Sequence, residues 1–267
     1  MDIKLYQVDA FAESAFAGNP AAICPLDRWL ADDLLQAIAA ENNLSETAFF
    51  VAEAEGYHLR WFTPKSEVDL CGHATLAAGY VIAHIFGQDD APIRFRTLSG
   101  PLTVTPADDG LLRMEFPSRP GGPDDPPPGL FEALGAPPVE LLKARDYMAV
   151  FEQRATIAAL TPDFGALGRV LSGDAGGVIV TAPADAGEDV DFVSRFFAPQ
   201  YGIDEDPVTG SAHCTLVPYW ARRLGRETLT AHQISPRGGT LYCRDADARV
   251  EISGRCAFYL DGVIRLP

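Results

Sequence analysis

Basic side chains are scarce in this chain: 21 lysines and arginines stand against 37 aspartates and glutamates, a formal net charge of -16. That deficit repels phosphate backbones and anionic lipid, so sequence-independent nucleic-acid binding and membrane docking are disfavoured. A small anion is not excluded, because a few aimed donors in a pocket outweigh the field of the whole surface. The five cysteines, Cys24, Cys71, Cys214, Cys243 and Cys256, are odd in number and include no C-x-x-C pair. This scatter argues against a disulfide framework and fits a reducing compartment. No apolar run suits a membrane span: the longest, from Ala74 to Gly87, contains His84 and falls short of the roughly 17–25 residues needed. The first nine residues alternate like a strand and lack the basic head and apolar middle of a signal peptide, so a soluble cytoplasmic protein is expected. G-x-x-x-x-G-K-[ST], G-x-S-x-G and a convincing G-x-G-x-x-G are also missing, which leaves nucleotide, hydrolase and dinucleotide readings unsupported.

What is present is ample apolar material, 47% of 267 residues, enough for one large core or two smaller ones. A proline-rich segment at 117–129, with six prolines, admits neither a helix nor a central strand and reads as a linker near the midpoint. The halves on either side echo each other. Arg60-Trp61-Phe62-Thr63-Pro64 recurs as Arg195-Phe196-Phe197-Ala198-Pro199, and His73-Ala74-Thr75-Leu76 recurs as His213-Cys214-Thr215-Leu216, offset by 135 and 140 residues. Arg113-Met114-Glu115-Phe116 recurs as Arg249-Val250-Glu251-Ile252 at an offset of 136. Three echoes in the same order point to a duplicated unit. The expected lobes are 1–117 and 118–267, with the last strand free to pack back on the first lobe. Each lobe reads as an α+β unit: a rolled, mostly antiparallel sheet around one buried helix, Gly72 to Phe86 in the first half and about Pro207 to Leu224 in the second. The first is apolar on all sides; the second carries Pro218 and is expected to kink there.

Both expected helices follow a small-residue turn, Asp69-Leu70-Cys71-Gly72-His73 and Asp206-Pro207-Val208-Thr209-Gly210-Ser211. Unpaired N–H groups and the positive end of the helix dipole make such turns suited to a carboxylate, although either turn alone can be merely structural. Glu46, in Asn43-Leu44-Ser45-Glu46-Thr47, stands at the mouth of an apolar strand. Partial burial there would suit proton transfer, and a solvated strand end is the plain alternative. His73 and His213 fall near helix N-termini, as neutral hydrogen-bonding groups or as packed ones. Cys71, His73, His213 and Cys214 do not match zinc spacings, and no metal is expected. Cys71 is either a thiol activated by the helix terminus or small apolar filler.

Taken together, Gly18-Asn19-Pro20, N-L-S-E-T-A-F at 43–49, R-W-F-T-P at 60–64, D-L-C-G-H-A-T at 69–75 and D-P-V-T-G-S-A-H at 206–213 resemble the phenazine-biosynthesis PhzF-like family, relatives of diaminopimelate epimerase. The resemblance covers nearly the whole chain. It implies two pseudo-symmetric lobes with the site between them, no cofactor, a small carboxylated substrate and a homodimer. It further implies that Glu46 is the acid/base, which in the family's characterised isomerase moves a proton between carbons of a cyclic dihydro-anthranilate. His73 and Asp206 are implied to assist, with Ser45, Gly72, Thr209, Gly210 and Ser211 binding substrate. The epimerase relatives use one cysteine from each lobe; here Cys71 fills the first place and the 206–210 turn has none. A single-base proton shift is therefore expected. The alternatives are an amino-acid-type epimerase or racemase using Cys71, and a small-molecule-binding homologue without turnover.

Overall fold

The computed structural model describes all residues except 89, 90, 174, 175 and 267; the last of these is the end of the expected second lobe. The chain forms two compact units, one of residues 1–115 with the segment from 253 onward, the other of residues 116–252.

In the first unit, strand Asp2–Ala10 lies antiparallel between Cys256–Arg265 and Asn19–Leu26. Asn19–Leu26 runs parallel to Glu46–Glu53, which is antiparallel to Gly56–Phe62. One edge of Gly56–Phe62 is shared: Ile93–Thr97 runs parallel to its beginning, and the two-residue strand Glu67–Val68 runs antiparallel to its end. Gly100–Pro106 and Leu112–Pro117 follow as antiparallel neighbours.

The second unit repeats this sequence of pairings. Glu140–Lys143 is antiparallel to Gly122–Pro123 and to Tyr147–Val150. Tyr147–Val150 runs parallel to Val178–Pro183, which is antiparallel to Phe192–Ala198. The edge of Phe192–Ala198 is again shared, by the short Ile203–Asp206 antiparallel and by Thr228–Gln233 parallel, and Gly239–Ala246 follows antiparallel. The duplication thus extends from short sequence echoes to the order and direction of the strands.

Parallel neighbours need a crossover, and each unit has two. The first carries helix Asp32–Asn42 in one unit and helices Arg154–Ala159 and Phe164–Val170 in the other. The second carries the expected buried helix. In the first unit it is α-helical over Gly72–Tyr80 and widens to a π-helix over Val81–Ile85, with Phe86 N–H reaching Val81 O at 3.0 Å. It packs against strands Asp2–Ala10, Asn19–Leu26, Glu46–Glu53, Gly100–Pro106 and Cys256–Arg265, so the sheet curves around it. Leu76, Val81 and Ile82 are fully buried, and removing each side chain from water contributes about 1.5–3 kcal/mol. Gly79 permits the closest approach: a Cβ there would sit 2.6 Å from Val104 Cγ1.

The second buried helix begins at Gly210, three residues later than expected, and runs to Leu224. Pro207 and Val208 belong to the turn before it. Pro218 does not interrupt it, because the carbonyl left without its i to i-4 donor finds another: Cys214 O accepts the backbone N–H of Arg119 at 2.9 Å. The proline-rich segment is thereby tied to the helix rather than left loose, and it contributes the edge strand Gly122–Pro123. The helix starts differ by 138 residues, so by helix register His73 corresponds to Ser211, and His213 lies one half-turn further in.

Candidate active site

Helix Asp32–Asn42 ends on Asn43, whose left-handed φ of 50° turns the chain while its N–H bonds Ala39 O. Asparagine accepts that conformation at low cost. Asn42 then donates to Thr47 Oγ1 at 3.1 Å, which delivers Glu46 to the first position of its strand, opposite Ala21. Glu46 is 9% exposed, at the margin of the core.

His73 is the second residue of its helix and is 5% exposed. Its Nε2 lies 3.1 Å from Glu46 Oε2. On the other side of the ring, Nδ1 meets Asn19 Nδ2 at 3.2 Å and Cys71 Sγ at 3.6 Å. Burial acts against an imidazolium here, but the neighbouring Cys71 and Glu46 groups outweigh it and hold the His73 pKa well above the usual histidine range. The Cys71 thiol goes the other way from an activated nucleophile: burial, with the Glu46 charge second, pushes its pKa up. Cys71 is the residue before the helix, and its carbonyl accepts from Thr75 Oγ1 at 2.5 Å. Glu46, Cys71 and His73 offer an oxygen, a sulfur and a nitrogen within 4.8 Å of one another, so among the described residues this is where a divalent cation would find ligands.

Asn19 is placed by Gly18. At φ 66° this glycine makes a turn in which a Cβ would stand 2.2 Å from Ala10 O, and Asn19 pairs with Ala10 in the sheet. The G-N-P motif was legible, but the partnership of Asn19 with His73 was not, because the two are 54 residues apart.

The remaining expected residues lie in the second unit. Asp206 accepts from Thr209 Oγ1 at 2.5 Å. Gln233 spans the same turn, accepting from Thr209 N–H at 2.9 Å and donating to Asp206 O at 2.7 Å, and Ser235 Oγ donates to Pro207 O at 2.8 Å. Neither Gln233 nor Ser235 carries a local sequence signal. Thr209 and Gly210 are buried and Ser211 is half-buried. Neither helix that follows these turns has a side-chain cap or an acidic residue in its first turn. His213 is fully buried, its Nδ1 2.8 Å from Thr209 O, and burial pushes its pKa down to about 4. It is a neutral, structural imidazole. Ser45 and Gly72, both half-buried, adjoin Glu46 and His73 in the chain.

The fold is an α+β architecture of the diaminopimelate-epimerase-like class. The family model described as phenazine biosynthesis-like protein matches residues 8–119 and 135–262, and the chain belongs to this PhzC-PhzF family. Two proteins of Pseudomonas aeruginosa, each described as an uncharacterized isomerase, are 52% and 49% identical to it over the full length of both chains. A crystal structure of a PhzF-family phenazine biosynthesis protein from Enterococcus faecalis is 46% identical and superposes over the whole of both chains with a TM-score of 0.93.

Proposed function

We propose that this protein is an isomerase that shifts a proton within a small carboxylated cyclic or unsaturated substrate, with Glu46 as the single acid/base and no cofactor. The observation that carries the reading is the Glu46–His73 pair, a carboxylate at the edge of the core held at 3.1 Å by a buried histidine. The description of its relatives as isomerases and the N-L-S-E-T motif around Glu46 support it. Glu46 takes the substrate proton and returns it at another carbon; His73 orients the carboxylate and balances its charge through the cycle. By their place in the motifs that resemble the family's, Asp206 is proposed to assist and Ser45, Gly72, Thr209, Gly210 and Ser211 to bind substrate, helix starts being suited to a carboxylate. The reading includes a homodimeric, cytoplasmic protein.

An epimerase using Cys71 is the second reading, favoured by the 3.6 Å contact of its sulfur with His73. The elevated thiol pKa speaks against it, and Cys71→Ala separates the two. Incubating the protein in D2O with a panel of carboxylated rings, a cyclic dihydro-anthranilate among them, tests the reaction class. Deuterium at carbon together with a shifted double bond supports the proton shift; binding of panel members without exchange identifies a homologue that does not turn over.

A further inference from the structure

The repeated strand end at Arg60 and Arg195 has a physical role that proton transfer leaves unused. Arg60 donates from Nε and Nη2 to the two oxygens of Glu67, each at 2.7 Å, and its guanidinium lies 5.1 Å from the centre of the Phe62 ring. Arg195 does the same in the second unit, reaching the two oxygens of Glu205 at 2.7 and 2.8 Å and lying 4.9 Å from the centre of Phe197. The strand register is shared as well. The aromatic residue after each arginine pairs with the residue after each glutamate, Trp61 with Val68 and Phe196 with Asp206. Each arginine also holds the first crossover of its unit: Arg60 Nη1 lies 2.9 Å from Asp32, and Arg195 Nη1 donates at 2.9 Å to the carbonyls of Ile157 and Leu160.

The partners are 7 residues apart in one unit and 10 in the other, so the geometry is retained although three residues separate the two connections in length. Buried ion pairs are a weak source of stability, because desolvating both charges offsets much of their attraction. What a bidentate arginine supplies beyond an apolar pair is direction. Direction matters at these places: Glu67 stands four residues before Cys71, and Glu205 immediately before Asp206.

We propose that Arg60–Glu67 and Arg195–Glu205 are positioning pairs, one in each unit, that fix the short strands leading into the Cys71–His73 turn and the Asp206–Ser211 turn. Only the kinetic consequence rests on the proposed function; the fixing of the turns is measurable without substrate.

The test is the double variant Arg195→Met with Glu205→Leu, which removes both charges; it also takes the donor from the Ile157 and Leu160 carbonyls, so its Tm is expected to fall while the fold is kept. Amide hydrogen exchange over residues 206–211 should accelerate about tenfold or more. With a cyclic dihydro-anthranilate as probe, kcat should fall about tenfold, with KM rising as the binding turn loosens. Wild-type protection at 206–211, or wild-type kcat with the turn loosened, overturns the proposal. If the double variant does not fold, Glu205→Gln, which keeps the side-chain shape, decides by the same readings. A wild-type protein that turns over no member of the carboxylated-ring panel sinks the proposed reaction, and hydrogen exchange still decides the role of the pairs.

Discussion

Glu46 Oε2 and His73 Nε2 lie 3.1 Å apart, joining the first residue of a strand to the second residue of the buried helix, with Asn19 and Cys71 on the far side of the imidazole. The pair places a carboxylate at the rim of the core with a proton-bearing neighbour that does not itself need to reach the substrate.

The His73 proton is the first thing to measure. Its folded pKa is raised, so the stabilisation it gains from the pair is complete below its unfolded value near 6.5 and fades only as pH rises through the higher folded value. An NMR titration should place the His73 midpoint above 6.5, and Glu46→Gln should lower it. A midpoint at or below 6.5 in the wild-type protein contradicts the pairing.

His213 has the opposite sign. With a folded pKa of about 4 against roughly 6.5 unfolded, its burial as a neutral ring contributes stability above pH 6.5 that is lost as pH falls toward 4. The loss attributable to this residue is about 3 kcal/mol by pH 4. Denaturant unfolding at pH 7 and pH 4.5 should show a steeper decline for the wild-type protein than for His213→Gln; parallel declines would remove His213 from the account.

Gly18→Ala should destabilise by about 2–4 kcal/mol, because the new Cβ meets Ala10 O in a left-handed turn that alanine resists. The displacement falls on Asn19, so the His73 titration should shift as well. A variant with unchanged unfolding and unchanged titration would show that the turn does not set Asn19.

Gln233→Leu removes the acceptor of the buried Thr209 N–H and one donor to Asp206 C=O, at a cost of about 1–3 kcal/mol for the Thr209 group. Hydrogen exchange should be fastest at residues 206–210. Uniform acceleration across the second unit would instead indicate a general loss of packing.

Much of this was legible in the residues. The unbroken apolar surface of Ala74 to Ile82 marks a buried helix, and the echo of Arg60-Trp61-Phe62 marks a duplication that the repeated strand pairings bear out. The histidine echo misled in one respect, since the helix starts put His73 in register with Ser211. The helix start at Gly210 was misplaced because Pro207 suits a first helical position as well as a turn. Gln233 and Ser235 act on a turn more than twenty residues away, and no local pattern announces such a contact. Asn19, Glu67 and Glu205 gain meaning only from strand register.

The central claim is that Glu46 moves the substrate proton, and the direct measurement is solvent deuterium incorporation by Glu46→Gln beside the wild-type protein. The amide keeps the size of the side chain and cannot accept the proton, so incorporation should fall by about 10³ or more while ligand binding is largely retained. Incorporation at the wild-type rate would show that another group is the base.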